Sequence, residues 1–173
     1  MRYVAPRISE EEARAALRPR RGSWLRRGRA RDGGLGGKRL PHLELVWLPF
    51  LHVASGRRSC VVCASTGLAA RLEREGLSFA EGGGVGAPAI AREQLLEIAR
   101  AHLGRLAALA GGMAKGEQAP EVELEDWALP FWVLHFERRP GRLDFAALDA
   151  IGGARVGGAV RQALVRAMVA NPV

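Results

Sequence analysis

Two hydrophobic rhythms alternate along this chain, and they come in the same order twice. Near the start, Ala13, Ala16 and Leu17 recur at helical spacing behind Ser9 and Glu12, a Ser-x-x-Glu capping box. The second half has a longer version, in which Leu95, Ala99, His102, Leu103, Leu106 and Ala110 fall on one side of a helix. Each helical stretch leads to an aromatic, β-prone run, ELVWLPFLHV over 44–53 and DWALPFWVLHF over 126–136. Glu121-Val122-Glu123-Leu124-Glu125 ahead of the second run alternates strictly and predicts a strand with one acidic face. Val160, Ala163, Leu164, Ala167 and Met168 predict a closing amphipathic helix, entered after Gly157-Gly158 and stopped near Pro172.

The repetition extends to individual residues. Ala5-Pro6-Arg7-Ile8 parallels Ala87-Pro88-Ala89-Ile90 at an offset of 82, and Leu48-Pro49-Phe50 returns as Leu129-Pro130-Phe131 at 81. Gly56-Arg57 is answered by Gly141-Arg142, and Cys63-Ala64-Ser65-Thr66-Gly67 by Leu148-Asp149-Ala150-Ile151-Gly152, at 85. The extra length falls at the second hairpin tip, Glu137 to Pro140, where loops tolerate insertion. In place of the C-terminal helix the first half predicts only a short helical turn around Leu68 to Glu75.

The expected fold is α+β: a tandem duplication of a helix plus an antiparallel hairpin or three-stranded unit. The helices are expected on one face of the sheet or sheets, with an extra helix at the C-terminus. Residues 1–80 form the first repeat, 81–88 a glycine-rich hinge, and 89–173 the second.

A helix opening with Ile8-Ser9-Glu10-Glu11-Glu12-Ala13, and a return strand ending in Asp149-Ala150-Ile151-Gly152, resemble the PepSY-type module. The resemblance implies small non-catalytic α+β units, often in tandem, that regulate or inhibit other proteins. The first repeat departs from it, with Ala64 where the aspartate is expected.

Charge changes the picture at one place only. Residues 18–39 hold nine basic side chains against Asp32 alone, which equals the whole formal net charge of +8. Arginine forks suit phosphates, and Trp24 suits stacking on a base. Arg20, Arg21, Trp24, Arg26, Arg27, Arg29 and Arg31 are therefore candidate contacts for nucleic acid or an anionic surface. The plainer reading is a solvated loop, arginine-rich through the codon bias of a GC-rich bacterial genome and resting against Glu121, Glu123 and Glu125.

Other candidate chemistry meets geometric obstacles. Cys60 and Cys63 have the spacing of a metal knuckle, but residues three apart on a strand point to opposite faces. His52 and His135 each follow a leucine at matched places and could line a shared groove, yet no carboxylates occupy matching positions. Gly33 to Lys38 lacks the Ser or Thr of a phosphate loop, and Gly82 to Gly86 lacks a preceding strand. No constellation fits catalysis, metal binding or a cofactor. The longest apolar run, Leu45 to Ala54, is about half of what a bilayer crossing needs, and MRYVAPRISEEE lacks the apolar core of a signal peptide. The expectation is a cytoplasmic, non-enzymatic interaction or regulatory module. Trp47, Phe50, Phe131 and Trp132 are its candidate anchors for a partner protein or a second copy. The alternative is a nucleic-acid-binding protein using 18–39.

Overall fold

A computed structural model describes residues 1–17, 40–56, 58–72, 74–82, 85–86, 88–109, 122–139 and 142–170. The described elements are, in chain order, β1 (Arg2–Val4), α1 (Glu10–Leu17), β2 (His42–Ser55), β3 (Arg58–Cys63), β4 (Ala69–Arg71) and β5 (Phe79–Ala80). They continue with α2 (Arg92–Leu109), β6 (Val122–Arg139), β7 (Arg142–Asp149) and α3 (Gly158–Ala170). The fold is mixed α and β: one seven-stranded sheet and, among the described residues, three helices. Strands from both halves of the chain share that sheet, in the order β4-β3-β2-β6-β1-β5, with β7 also on β6.

The spine is the antiparallel pair β2–β6, in register from His42↔His135 to Ser55↔Val122 with Leu48 opposite Leu129. The acidic stretch from Val122 onward and the aromatic run after it are a single strand, not two. Prolines are normally kept out of central strands because they lack an N–H. Pro49 and Pro130 are tolerated here because their polar edges face away from the spine. The Pro49 carbonyl accepts Ala64 N–H at 2.8 Å, and the Pro130 carbonyl accepts Ala150 N–H at 3.1 Å, both beyond the hairpins' return strands. The N–H and C=O of one residue point the same way in an antiparallel strand. Each missing N–H is thus on the outer side, and the spine loses no hydrogen bond.

Alternation then divides the apolar side chains into two sets. Leu48, Phe50, Trp127, Leu129, Phe131 and Val133 pack with Ala163, Leu164 and Ala167 of α3. The other set is shared by two helices. Leu51, Val53, Cys60 and Val62 meet Leu95, Ala99 and Leu103 of α2, while Leu43, Leu134, Phe136 and Leu148 meet Ala13 and Leu17 of α1. Thus α1, next to β2 in sequence, packs on β6–β7, and α2, next to β6, packs on β2–β3. The entry to α1 is fixed by the capping box, with Glu12 Oε2 accepting both Ser9 N–H and Ser9 Oγ–H at 2.8 Å.

Backbone hydrogen bonds fix the helix entries. Arg7 and Ile8 donate to the Ala150 carbonyl at 2.8 and 2.9 Å, and Ala89 and Ile90 donate to the Ala64 carbonyl at 2.9 and 3.0 Å. Phe50 pairs with Cys63, and Phe131 with Asp149. The return strands therefore correspond at an offset of 86, one more than their residue types suggest. Gly67 and Gly153, also 86 residues apart, both stand at φ +72°. The stretch expected as a helical turn around Leu68 to Glu75 instead contains β4, which pairs with β3 through Cys60↔Arg71 and Val62↔Ala69. Within the expected hinge, Val85 makes a parallel bridge to Trp47.

Candidate functional site

Several charged side chains converge at one end of the α3-bearing face. Glu125 is drawn there by the register of β6, which places it opposite His52. Its Oε1 accepts from Arg2 at 3.0 Å and lies 3.6 Å from Arg74, while its Oε2 accepts the Trp127 indole N–H at 2.8 Å. Burial pushes this carboxyl up, but the hydrogen bonds from Trp127 and Arg2 and the charges of Arg74 and Arg2 outweigh it and hold Glu125 below its ordinary value. Arg2 also lies over the Phe79 ring, 3.8 Å from its centroid. His52 is buried, and its ring is stacked on Trp127 at 3.9 Å. Desolvation lowers its pKa despite the attraction of Glu125.

A second cluster sits at the other end of the same face. Glu44 lies between two imidazoles: Oε1 is 2.8 Å from His135 Nε2, and Oε2 is 3.7 Å from His42 Nε2. The two rings are stacked with centroids 6.4 Å apart. On β7, Asp144 pairs with Arg161 of α3, whose guanidinium covers Phe145 at 3.9 Å.

These clusters correct the expectation that no carboxylates at matching positions accompany His52 and His135. Glu44 and Glu125 themselves stand at the offset of 81, whereas the equivalent of His52 at that offset is Val133. His52 and His135 each have a carboxylate on the other strand of the spine. The register supplies the His52 pair: with Leu48 opposite Leu129, Glu125 stands opposite His52. Among the described residues no group of three or more His, Cys, Asp or Glu side chains is placed to hold a metal ion.

The four aromatic candidates separate. Phe50 and Phe131 stack at 6.4 Å in the core beneath α3, so they are not exposed anchors. Trp47 and Trp132 are half-buried on the opposite face. Trp132 donates its indole N–H to the Ile8 carbonyl at 2.7 Å, and Tyr3 meets Trp47 edge-on at 6.0 Å. Cys60 and Cys63 are buried in different clusters on opposite faces. Burial pushes the Cys60 thiol up to about 11. The candidate anion contacts Arg20, Arg21, Trp24, Arg26, Arg27, Arg29 and Arg31 lie outside the described residues.

Among the described residues, one backbone edge of the spine is unpaired. Pro130 faces outward, so by alternation Val122, Leu124 and Asp126 of β6 do too. Among the described residues nothing pairs with that side of 122–126, since β1 begins at Trp127 and β7 pairs beyond it. Val122 and Leu124 are each 38% exposed. Of the acids there, Glu125 is bound by Arg2 and Asp126 by Arg92 at 2.6 Å. Compared with protein-family models, curated proteins and solved structures, the chain matches none. Among the described residues no helix is long and apolar enough to cross a membrane.

Proposed function

We propose that this chain is a non-catalytic protein-interaction module, two copies of one PepSY-like helix-and-hairpin unit, that binds an extended segment of a partner along the outer edge of β6. Matched pairings support the duplication. Tyr3↔Ala128 and Val85↔Trp47 are both parallel and differ by 82 and 81 in their members. Val62↔Ala69 and Leu148↔Arg155 are both antiparallel and differ by 86 in each.

The observation that carries the binding reading is the edge itself. Outward N–H and C=O groups at Val122 and Leu124, beside exposed apolar side chains, form a template for strand addition. Charge selects the occupant. A second copy added antiparallel about Leu124 would set Glu123 against Glu125, whereas a partner strand alternating apolar and basic residues satisfies both the apolar side chains and Glu123. The test is a titration of the amide spectrum with a short alternating Val-Lys peptide. Shifts at the amides of Val122, Leu124 and Asp126, lost in Leu124→Pro, are expected. That substitution removes an outward N–H and leaves the spine bonds in place. Absence of binding, or shifts located elsewhere, would refute strand addition.

The charge concentrated in residues 18–39 favours a second reading, binding of nucleic acid. Retention of single-stranded nucleic acid that falls steeply with salt, and is lost when 18–39 is deleted, would support it.

A further inference from the structure

His52 has no role in strand addition, yet its setting is unusual. It is 1% exposed, and its ring plane lies within 4° of the Trp127 indole. Among the described residues neither ring nitrogen has a hydrogen-bond partner. A neutral imidazole carries one N–H donor, and leaving a buried donor unmatched is costly. Glu125 Oε2 lies 3.9 Å from His52 Nδ1. That oxygen holds the Trp127 indole N–H, and a carboxylate oxygen has capacity for a second donor.

We propose that His52 and Glu125 form an acid-driven latch beside the β6 edge. When His52 takes a proton from solvent, Nδ1–H closes on Glu125 Oε2, and the carboxylate moves toward β2 at the expense of its bonds to Trp127 and Arg2. Arg2 belongs to β1, so the same movement loosens the clamp on the N-terminal strand.

Among the described residues, the charged groups that bear on the ring come from three elements or segments around it. From β6, Glu125 and Glu123 favour the protonated ring; from the segment between β4 and β5, Arg74 opposes it. From β1, Arg2 acts through Glu125. On β3, the residue opposite His52 is Val61, which carries no charge. On β5, Phe79 meets Trp127 edge-on at 5.6 Å. Burial is the largest influence, so the latch closes below the ordinary histidine range.

The test follows the imidazole signals of the full chain and the indole N–H of Trp127, assigned with Trp127→Phe, from about pH 8 to about pH 4. His52 is expected to titrate with a midpoint below 6.5, and the indole signal to move with the same midpoint. In Glu125→Gln the midpoint falls further and the indole no longer follows it, because the charge that draws the proton in is gone. An indole signal that stays fixed while His52 titrates overturns the latch, as does a His52 midpoint at or above 6.5. If Glu125→Gln does not fold, the two signals of the unaltered chain decide alone. No peptide enters these measurements, so their failure is distinct from failure of strand addition.

Discussion

The amide of Ile8 donates to the carbonyl of Ala150 and, beside the like bond from Arg7, ties the entry of the first helix to the last hairpin. Gly153 lies just past that turn, where a Cβ would stand 3.4 Å from Ile8 Cδ1. At Gly67 the corresponding neighbours are Ile98 and Ile90. A helix and a turn distant in sequence meet the same way at both places.

Gly67 and Gly153 both hold φ +72°, a region that costs an L-residue about 1–2 kcal/mol. Gly67→Ala and Gly153→Ala are each expected to destabilise the fold by about that amount. At Gly67 the cost lies toward the upper end, because Ile98 Cδ1 is only 3.1 Å from the new methyl. Denaturant midpoints check both, and a neutral result at either position contradicts the backbone argument.

The α3 contact is central to the core. Leu164 is 0% exposed among Phe50, Phe131 and their neighbours. Leu164→Ala leaves a cavity there and is expected to cost about 2–5 kcal/mol. Val169→Ala, on the outer side of the same helix at 76% exposed, is expected to change stability by less than about 0.5 kcal/mol.

Stability is expected to fall in two stages as pH is lowered. His52 has a lowered folded pKa, so below 6.5 the unfolded chain binds a proton that the folded chain does not. Stability therefore declines from that pH until the lower folded value is passed. The carboxyls of Glu12 and Glu125 are also lowered in the folded state, Glu12 chiefly by its backbone and side-chain hydrogen bonds with Ser9. Their contribution is complete above 4.5 and is lost as pH drops through the folded values. Denaturation at a series of pH values should show both stages, and His52→Gln should abolish only the first. A flat profile between about pH 7 and about pH 5 contradicts the His52 assignment.

The thiols are expected to be inert in the folded chain. Cys60 and Cys63 are both buried, and the Cys60 thiol, pushed up to about 11, holds almost no thiolate near neutrality. A thiol reagent should label them only when denaturant is added. Rapid labelling of the native chain would show that β3 opens readily.

Local signals were the legible part of this sequence. The capping box at Ser9 and Glu12 marks where α1 begins, and the spacing from Val160 to Met168 marks α3, because both depend on near neighbours. What covers each sheet face is a tertiary matter. Phe50 and Phe131 alternate with Leu51 and Trp132 as any strand residues do, and only the docking of α3 decides that the phenylalanines are interior. The segment after Cys63 reads as a helical turn because Leu68, Leu72 and Glu75 suit one; pairing with β3 overrides that preference. The pairing of Glu125 with His52 and of Glu44 with His135 is illegible for a related reason: the partners come from opposite strands, at a register that hydrophobic spacing alone does not fix.

The crossed placement of α1 and α2 has a mechanical corollary. Whichever half of the polypeptide is pulled away, it takes with it the cover of the half left behind and bares Val53 and Val62, or Leu134 and Leu148, to water. Melting should accordingly be all-or-none across the sheet. A nick in the connection near Gly82 should leave two fragments that stay clasped together.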